Sequence, residues 1–364
     1  MRILFERRLE PSRLIALLVP VISFLLALVV GGILLLAAGA NPIDTYRAMF
    51  DGAFGTPYAR SETLVRAIPL MLTGLAVSIA FRMKFWNIGA EGQLAMGAIA
   101  TAGLPLFLLG DSGLPVWLLL VLMGVAAFVA GALWGLIPAA LKGYLQVNEI
   151  ITTLMMNYIA ILFLDYLYTG PWKDKAGFGF PGTASFKEIA ALPRLPAELG
   201  FGRVHVGLFL AIIAALLIWL VLQRTKWGYE IRVIGENPKA ARYAGISLVR
   251  NVLMVMALSG GLAGLAGFGQ VAGIAFRLQK GIVVGDGFTA IIIAWLAKLH
   301  PSGVLVVAVL MAALSTGGDQ LTITMRLPAA MAGVLQGAIL FFVLGGDIFV
   351  RYRLSFVRTA ESAR

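Results

Sequence analysis

The sequence contains no cysteine and only two histidines, His205 and His300. A disulfide framework, a thiolate metal site and a cysteine nucleophile are therefore excluded. The chain also has no H-E-x-x-H zinc motif, no G-x-S-x-G nucleophile elbow and no G-x-x-x-x-G-K-[ST] phosphate loop. The usual hydrolytic and nucleotide-hydrolysing sites therefore cannot be assembled. We predict that the chain is not an enzyme, has no catalytic residue and binds no metal or cofactor.

Charged residues are also scarce. Only 13% of the residues are charged, whereas 60% are hydrophobic, and the mean hydropathy is +0.91. A water-soluble domain of 364 residues could not cover that much apolar surface. The net charge of +11 does not form one basic stripe, since Lys and Arg lie in the gaps between apolar runs. Such a distribution indicates orientation in a bilayer, not binding of nucleic acid.

Apolar runs that suit membrane helices recur along the chain. The first, at about 14–38, follows Arg7, Arg8 and Arg13 and exceeds the ~7–15 residues of a signal-peptide core, so we predict a spanning helix. The others lie at about 68–81, 94–109, 115–141, 150–169, 206–223, 252–273, 286–298, 302–316 and 329–349. We predict an all-α polytopic membrane protein with about ten transmembrane helices, in which the positive-inside rule places the N- and C-termini in the cytoplasm.

This topology makes residues 1–364 a single transmembrane domain. Its predicted parts outside the bilayer are a cytoplasmic N-terminus, an extracytoplasmic loop, a cytoplasmic loop and a cytoplasmic tail, at 1–13, 170–205, 224–250 and 350–364.

Two of the runs, 68–81 and 286–298, are short for a membrane helix. Each would cover only about 20 Å at ~1.5 Å per residue, so we expect broken or re-entrant backbone there, shielded by neighbouring helices. Spans 2–5 and 7–10 could form two inverted four-helix repeats, although the two short runs would occupy non-equivalent places in them. Small residues spaced by four, such as Gly260 and Gly264, predict close helix packing, with a hinge or pore lining as the alternative.

The first polar stretch, MKFWNIGAEGQ at 83–93, places Asn87, Glu91 and Gln93 among glycines directly after an apolar run. Polar groups at membrane depth need a cavity or partners, and glycine permits irregular backbone. Two interpretations remain open. The residues line a translocation path, or they form a cytoplasmic re-entrant turn in which Glu91 pairs with Arg82 or Lys84.

Two further candidates for the path are Asn157 and Asp286. The stretch KGYLQVNEIITTLMMN at 142–157 has Asn148 as a predicted helix N-cap, and Asn157 lies about two turns further on, where its amide must find a partner. Asp286 follows Gly285, and it either takes part in the path or only satisfies the first turn of a helix.

The stretch RTKWGYEIRVIGENPKAARYAGI at 224–246 lies between two long apolar runs. Asn237 suits an N-cap, Pro238 the first helical position and Gly245 the position after the last turn. These residues predict a short cytoplasmic helix at about 238–244 whose Ala240 and Ala244 side could dock another protein. Docking onto lipid headgroups is the alternative, but the alanine side is weakly apolar for it.

Three strings, FWNIGAEGQLAMGA, VNEIITTLMMNYIA and GYEIRVIGENPKAARYAGI, together resemble the membrane subunits of ABC importers of the branched-chain amino acid and ribose permease superfamily. The chain looks most like the longer permease of nucleoside (BMP-type) uptake systems, from about Asn41 to Phe349. The resemblance implies a bacterial inner-membrane permease that imports nucleosides or simple sugars by alternating access. It also implies a second permease subunit, an ATP-binding-cassette subunit with ATP and Mg, possibly two fused cassettes, and an extracytoplasmic binding lipoprotein.

Within the resemblance, the segment GENPKAARYAGI looks like the helix that couples the permease to the ATPase. It implies contact or shape-setting roles for Gly235, Glu236, Asn237, Ala240, Ala241 and Gly245. An ion-coupled secondary transporter of small polar solutes is the alternative. It would normally need ionisable residues in mid-membrane, and the predicted span cores are almost free of them apart from Asp165.

Overall fold

The computed structural model describes residues 2–7, 13–110, 112–177, 179–196, 198, 200–325, 328 and 330–357. Residues 8–12 of the predicted N-terminal segment and 358–364 of the predicted tail lie outside the described residues. Thirteen α-helices form over the described residues. They are α1 (Arg13–Ala37), α2 (Pro42–Phe50), α3 (Pro57–Arg82), α4 (Ala90–Gly103), α5 (Val116–Leu145), α6 (Glu149–Thr169), α7 (Gly207–Arg224), α8 (Lys226–Glu236), α9 (Pro238–Tyr243), α10 (Leu248–Gln270), α11 (Asp286–Leu296), α12 (Pro301–Thr324) and α13 (Ala330–Arg351).

The helical fold predicted from the sequence is confirmed, with one small addition. Strands β1 (Arg2–Arg7) and β2 (Tyr352–Val357) pair antiparallel, with Arg2 opposite Val357 and Arg7 opposite Tyr352. The two ends of the described chain therefore lie side by side.

Several described helices have the length and composition of membrane spans. Six qualify singly, and a seventh would come from the pair Val21–Ala37 and Pro42–Gly55, which is bent by 115°. The six are Pro57–Arg82, Val116–Leu145, Glu149–Thr169, Gly207–Arg224, Leu248–Ala275 and Pro301–Thr324. The chain is therefore a multi-pass membrane protein.

The prediction of a broken span at 68–81 is wrong. α3 is continuous over 26 residues, starts at Pro57 under a Thr56 N-cap and contains Pro69. The first turns of α3 contain polar side chains, so the apolar run in the sequence begins later than the helix does. Ser61 donates to the carbonyl of Phe201, and Glu62 pairs with Arg203 at 3.2 Å, so polar groups at this end have partners within the protein.

The short run at 286–298 is confirmed, because α11 has only 11 residues. The other short helix is α4, with 14 residues, followed by a π-helical turn at Leu104–Leu108. Each short helix follows a long one: α4 follows α3, and α11 follows α10. A residue with left-handed backbone lies soon after the end of each long helix, Lys84 after α3 and Phe276 after α10, both at φ 56°. The short helices therefore occupy equivalent places in the two predicted sets, contrary to the expectation from the sequence.

The chain divides into two compact units. Unit 1 comprises residues 1–55 and 314–364, and unit 2 comprises residues 56–313. In unit 1, α1 packs along α13, Tyr46 donates to the Leu28 carbonyl at 2.7 Å, and Met49, Leu321 and Leu335 form a buried cluster.

In unit 2, α10 is the central helix and packs against α3, α4 and α5. Its glycines allow this. A methyl group on Gly264 would collide with the Ala127 carbonyl of α5, and one on Gly267 would collide with the Leu94 carbonyl of α4. Of the two interpretations of the glycine spacing, the structure shows close helix packing.

The loop 170–205 covers one end of unit 2. Phe186 is fully buried, its N–H donates to the Phe276 carbonyl at 3.0 Å, and the N–H of Leu192 donates to the Ala272 carbonyl at 2.9 Å. Phe186 and Leu192 belong to a cluster with residues of α4, α5, α6 and α10. Helices α8 and α9 lie at the opposite end, where Gly235 packs against the Arg82 carbonyl.

Candidate translocation and coupling sites

The segment between α3 and α4 is tied to the last turn of α3 as far as Phe85, and residues 86–89 then run into the bundle without helical hydrogen bonds. Lys84 takes a left-handed conformation, and the Trp86 indole stacks on Trp295 with ring centroids 5.8 Å apart. The Asn87 side chain then accepts from the N–H of Gly89 at 3.0 Å, which forms the turn into α4. This short side-chain turn replaces the missing backbone bonds of the segment.

Asn87 is also the centre of a buried polar network. Its amide nitrogen donates to Gln93 Oε1 at 3.0 Å and to Ser259 Oγ at 2.9 Å, and Gln93 Nε2 donates back to Asn87 Oδ1 at 3.2 Å. Ser259 in turn donates to the Ala76 carbonyl of α3 at 2.6 Å. The network therefore ties the extended segment and α4 to both long helices, α3 and α10.

Asn157, near the middle of α6, fixes the start of α4 from the other side. Its Oδ1 accepts from the Gly92 N–H at 2.8 Å, and its Nδ2 donates to the Ile88 carbonyl at 2.7 Å. Thr153, one turn earlier, accepts from the Ile88 N–H at 3.2 Å. The sequence analysis predicted that the Asn157 amide must have a partner. That partner is irregular backbone, whose N–H and carbonyl groups also need hydrogen bonds.

Glu91 and Asp286 meet where α4 and α11 begin. One Glu91 oxygen accepts from the Gly285 N–H at 2.6 Å, and the other accepts from the Gly287 N–H. The Asp286 carboxylate accepts from Gln270 Nε2 at 2.7 Å. The predicted pairing of Glu91 with Arg82 or Lys84 is wrong, since Glu91 is only 1% exposed and bonds to α11, which is distant in sequence.

All five residues predicted for a translocation path are brought into this region, and all are buried. Their polar groups bond to other parts of the chain. The assignment of Asn87, Glu91, Gln93, Asn157 and Asp286 to a path stays a prediction. Within the part of the chain that the structure describes, no three His, Asp or Glu residues come together as a metal site would require.

The predicted helix at 238–244 is present as α9, Pro238–Tyr243. Asn237 is its N-cap and accepts from the N–H groups of Lys239 and Ala240 at 3.0 and 3.2 Å. Gly245 follows the helix with φ 75°, as the sequence indicated. The capping residues therefore set both ends of this helix.

The side chains of α9 are mostly free of the rest of the chain. Ala241 is fully buried against the protein, whereas Tyr243 is 94% exposed and Glu236 and Ala240 are also exposed. Gly235 is buried, and a methyl group there would collide with the Arg82 carbonyl of α3. Among the six predicted coupling residues, Gly235 and Ala241 are therefore buried and the others are exposed, and the coupling role of all six stays a prediction.

The sequence analysis did not find α8 or its connection to α10. Glu230 of α8 accepts from Asn251 Nδ2 at 2.8 Å and from Arg250 at 3.1 Å. The hydrogen bond from Asn251, followed by the hydrogen bond and charge of Arg250, holds the pKa of the Glu230 carboxyl below its usual range. A signal was present, since the Thr225 N-cap begins a helix in which Ile231 and Ile234 are buried on one side.

Comparison with known proteins gives consistent results along almost the whole chain. Residues 59–344 match the family described as branched-chain amino acid transport system / permease component. A glucose ABC transporter permease of Haloferax volcanii is 37% identical over 96% of this chain and 93% of its own length. A guanosine ABC transporter permease of Bacillus subtilis is 35% identical over 91% of this chain and 94% of its own, and a nucleoside ABC transporter permease of Lactococcus lactis is 32% identical over 90% of both. The chain is therefore a transport subunit, not an enzyme, and it belongs to the branched-chain amino acid transport system permease component family.

Proposed function

We propose that this chain is the transmembrane permease subunit of an ABC importer that moves nucleosides or related simple sugars across the bacterial inner membrane. Membership of the permease family supports the transport role, and the relatives are named as permeases for guanosine, nucleosides and glucose. All of these substrates are uncharged and rich in hydroxyl groups. The buried amides of unit 2 offer the hydrogen-bonding chemistry that such solutes need.

The observation that carries this proposal is the outward-facing α9. It is capped at both ends and presents alanines and a tyrosine that is 94% exposed, at the end of unit 2 opposite the loop 170–205. The helix is too short and too weakly apolar to insert into lipid. Such a surface suits a groove on a partner protein, and the partner is the ATP-hydrolysing subunit.

The contacts of α8 supply a route from this surface into the membrane. Gly235 lies against the carbonyl that ends α3, and Glu230 bonds to the first turn of α10. A movement of α9 would therefore act on both long helices, which hold the extended segment at Asn87 between them. Closure of the ATPase cassettes would drive alternating access in this way.

The partners and the topology follow from the same proposal. A second permease, an ATPase subunit that carries ATP and Mg in two fused cassettes, and a binding lipoprotein complete the importer. The chain crosses the membrane about ten times with both termini in the cytoplasm, and the pairing of β1 with β2 supports an even number of crossings. The path runs beside Asn87, Gln93, Asn157, Glu91 and Asp286, whose hydrogen bonds would change partners as it opens.

An ion-coupled secondary transporter is the second candidate, and one observation favours it. The sequence indicated span cores almost free of ionisable groups, yet the fold brings the carboxylates of Glu91 and Asp286 into the interior of unit 2. Buried acidic residues of this kind bind or relay the coupling ion in many secondary transporters.

Reconstitution in liposomes separates the two candidates. The chain is purified with its co-encoded partners, and uptake of radiolabelled uridine or glucose is measured with ATP or with an imposed ion gradient. We expect uptake that requires both ATP and the binding protein. Uptake that follows a proton or sodium gradient without ATP would exclude the ABC mechanism for this chain.

Variants of α9 test the coupling surface in the same assay. Ala240→Trp and Glu236→Lys are expected to abolish ATP-dependent uptake while the permease still folds, because both side chains face outward. Ala184→Trp, at an exposed position of the loop 170–205, is the matched control. Uptake through this variant should still depend on ATP, as in the wild type. Full uptake by Ala240→Trp would show that α9 is not the coupling surface.

A further inference from the structure

Two helices of unit 2 begin at the same place. α4 starts at Ala90 and α11 at Asp286, and a methyl group on Gly287 would collide with the backbone nitrogen of Glu91. A helix N-terminus carries unpaired N–H groups and about half a positive charge. Two such ends in contact, away from water, would repel each other unless an anion lies between them.

Glu91 supplies that anion. It lies in the first turn of α4, where its negative charge stabilises the positive end of the helix dipole. Its two oxygens accept from Gly285 and Gly287 at the start of α11. The side chain is 1% exposed. Both oxygens are used as acceptors, which suits a carboxylate, whereas an amide could offer only one.

Asp286 does not fill the same role. Its carboxylate is bonded to Gln270 at the end of α10, and Arg66 of α3 lies close enough to act on it electrostatically. Asp286 therefore belongs to the contact between α11 and the two long helices. Glu91 bridges the two short ones.

We propose that Glu91 is a positioning residue whose carboxylate acts as an internal anion, joining the N-termini of α4 and α11 in the interior of unit 2. This inference rests on the proposed transport function, since it names the residue that holds the two short helices of the permease together.

Chemical rescue tests the proposal. Glu91→Ala leaves a space that is large enough for a small carboxylate and that favours a negative charge. The melting temperature of the purified transporter complex is measured with sodium formate and with formamide, which has the same shape without the charge. Gln93→Ala, in the same helix and equally buried, is the control. We expect formate to raise the melting temperature of Glu91→Ala only, and formamide to have no such effect.

Uptake in liposomes gives a second measurement. Glu91→Ala removes both hydrogen bonds and should lower uptake of the cargo by at least about tenfold, the factor that corresponds to a single hydrogen bond to a charged group, and formate should restore part of it. Glu91→Gln keeps one acceptor and should fall between the wild type and Glu91→Ala. If Glu91→Ala does not assemble, the comparison of Glu91→Gln with the wild type decides.

Two results would overturn the proposal. One is that formate and formamide act alike on Glu91→Ala, and the other is that Glu91→Gln matches the wild type in both melting temperature and uptake. The melting measurement needs neither cargo nor ATP. If formate rescues the melting temperature of Glu91→Ala but the wild-type complex shows no ATP-dependent uptake, the proposed transport function is refuted and the role of Glu91 stands.

Discussion

At the scale of single residues, buried amides in this protein replace regular secondary structure. The backbone of residues 86–89 lacks helical partners, and the side chains of Asn87, Thr153 and Asn157 bond to its polar groups at Ile88 and Gly89. In a membrane an unpaired backbone group is costly, because no water is available to bond it. These side chains therefore make an extended segment possible inside a helical bundle.

Asn157→Leu is the substitution that tests this argument. It leaves the Gly92 N–H and the Ile88 carbonyl unpaired, and we expect a loss of about 1–3 kcal/mol in the free energy of unfolding. Tyr158→Leu, at the neighbouring position, which is 57% exposed, is the control and should be nearly neutral. The measurement is thermal unfolding of the detergent-solubilised permease. An equal stability of the two variants would contradict the structural role of Asn157.

Local residue roles could be predicted from the sequence, and distant partners could not. Asn148 and Asn237 are the N-caps that their positions indicated, since a cap depends only on the next three residues. The partner of Glu91 lies almost two hundred residues further along the chain. A charge-pairing argument that considers only neighbours therefore selected Arg82 and Lys84 wrongly.

At the scale of elements, the close contact of α10 with its neighbours depends on the absence of side chains at particular glycines. Gly264→Ala would force a methyl group into the Ala127 carbonyl of α5, which is backbone and cannot rotate away. We expect a loss of about 1–3 kcal/mol in stability from this overpacking. Gly269→Ala in the same helix is the matched control, because its nearest neighbours would be ordinary contacts at 3.7 and 3.8 Å. Thermal unfolding that ranks Gly269→Ala as the more damaging variant would contradict this account.

The connection between α8 and α10 should depend on pH. The pKa of Glu230 is lowered in the folded protein by Asn251 and Arg250, so the ionised carboxylate stabilises the fold above the ordinary glutamate pKa of about 4.3. This contribution is lost as the pH falls through the lowered pKa. The stability of the wild type should therefore decrease in that acidic range more than that of Glu230→Gln. Glu236→Gln, at an exposed position, should follow the wild type, and identical profiles for all three proteins would refute the connection.

Helix existence was predictable for most of the chain, while helix boundaries depended on contacts that hydropathy cannot show. The start of α3 was placed at residue 68 because Arg60, Ser61, Glu62 and Arg66 interrupt the apolar run. Ser61 and Glu62 bond to the loop 170–205, so that end of the helix is polar where it meets other protein. α8 was missed because it is short and its buried apolar side chains, Ile231 and Ile234, do not form a long apolar run.

At the scale of the whole molecule, the order of long and short helices gives the chain its internal similarity. α3 and α10 are long and continuous, and each is followed by an irregular segment and a short helix. α4 packs on α10, and α11 packs on α3, so each short helix lies against the long helix of the other set. The sequence indicated two four-helix sets but assigned one short run to the wrong helix of its set. The equivalent positions of α4 and α11 appear in their contacts with the long helices and not in the residue types.

The topology leads to the last prediction, and the absence of cysteine makes it directly testable. α9 and the loop 170–205 lie at opposite ends of unit 2, so single cysteines at exposed positions in the two should be reached from opposite sides of the membrane. We expect an impermeant maleimide to label Phe180→Cys, at a position 78% exposed, in intact cells, and Tyr243→Cys only in inverted vesicles. Paired strands require cysteines added beyond either end of the chain to lie on one side, and the proposed cytoplasmic placement of both termini predicts that they behave like Tyr243→Cys. Labelling of Phe180→Cys and Tyr243→Cys from the same side would refute the topology, and labelling of the two ends from opposite sides would require an odd number of crossings.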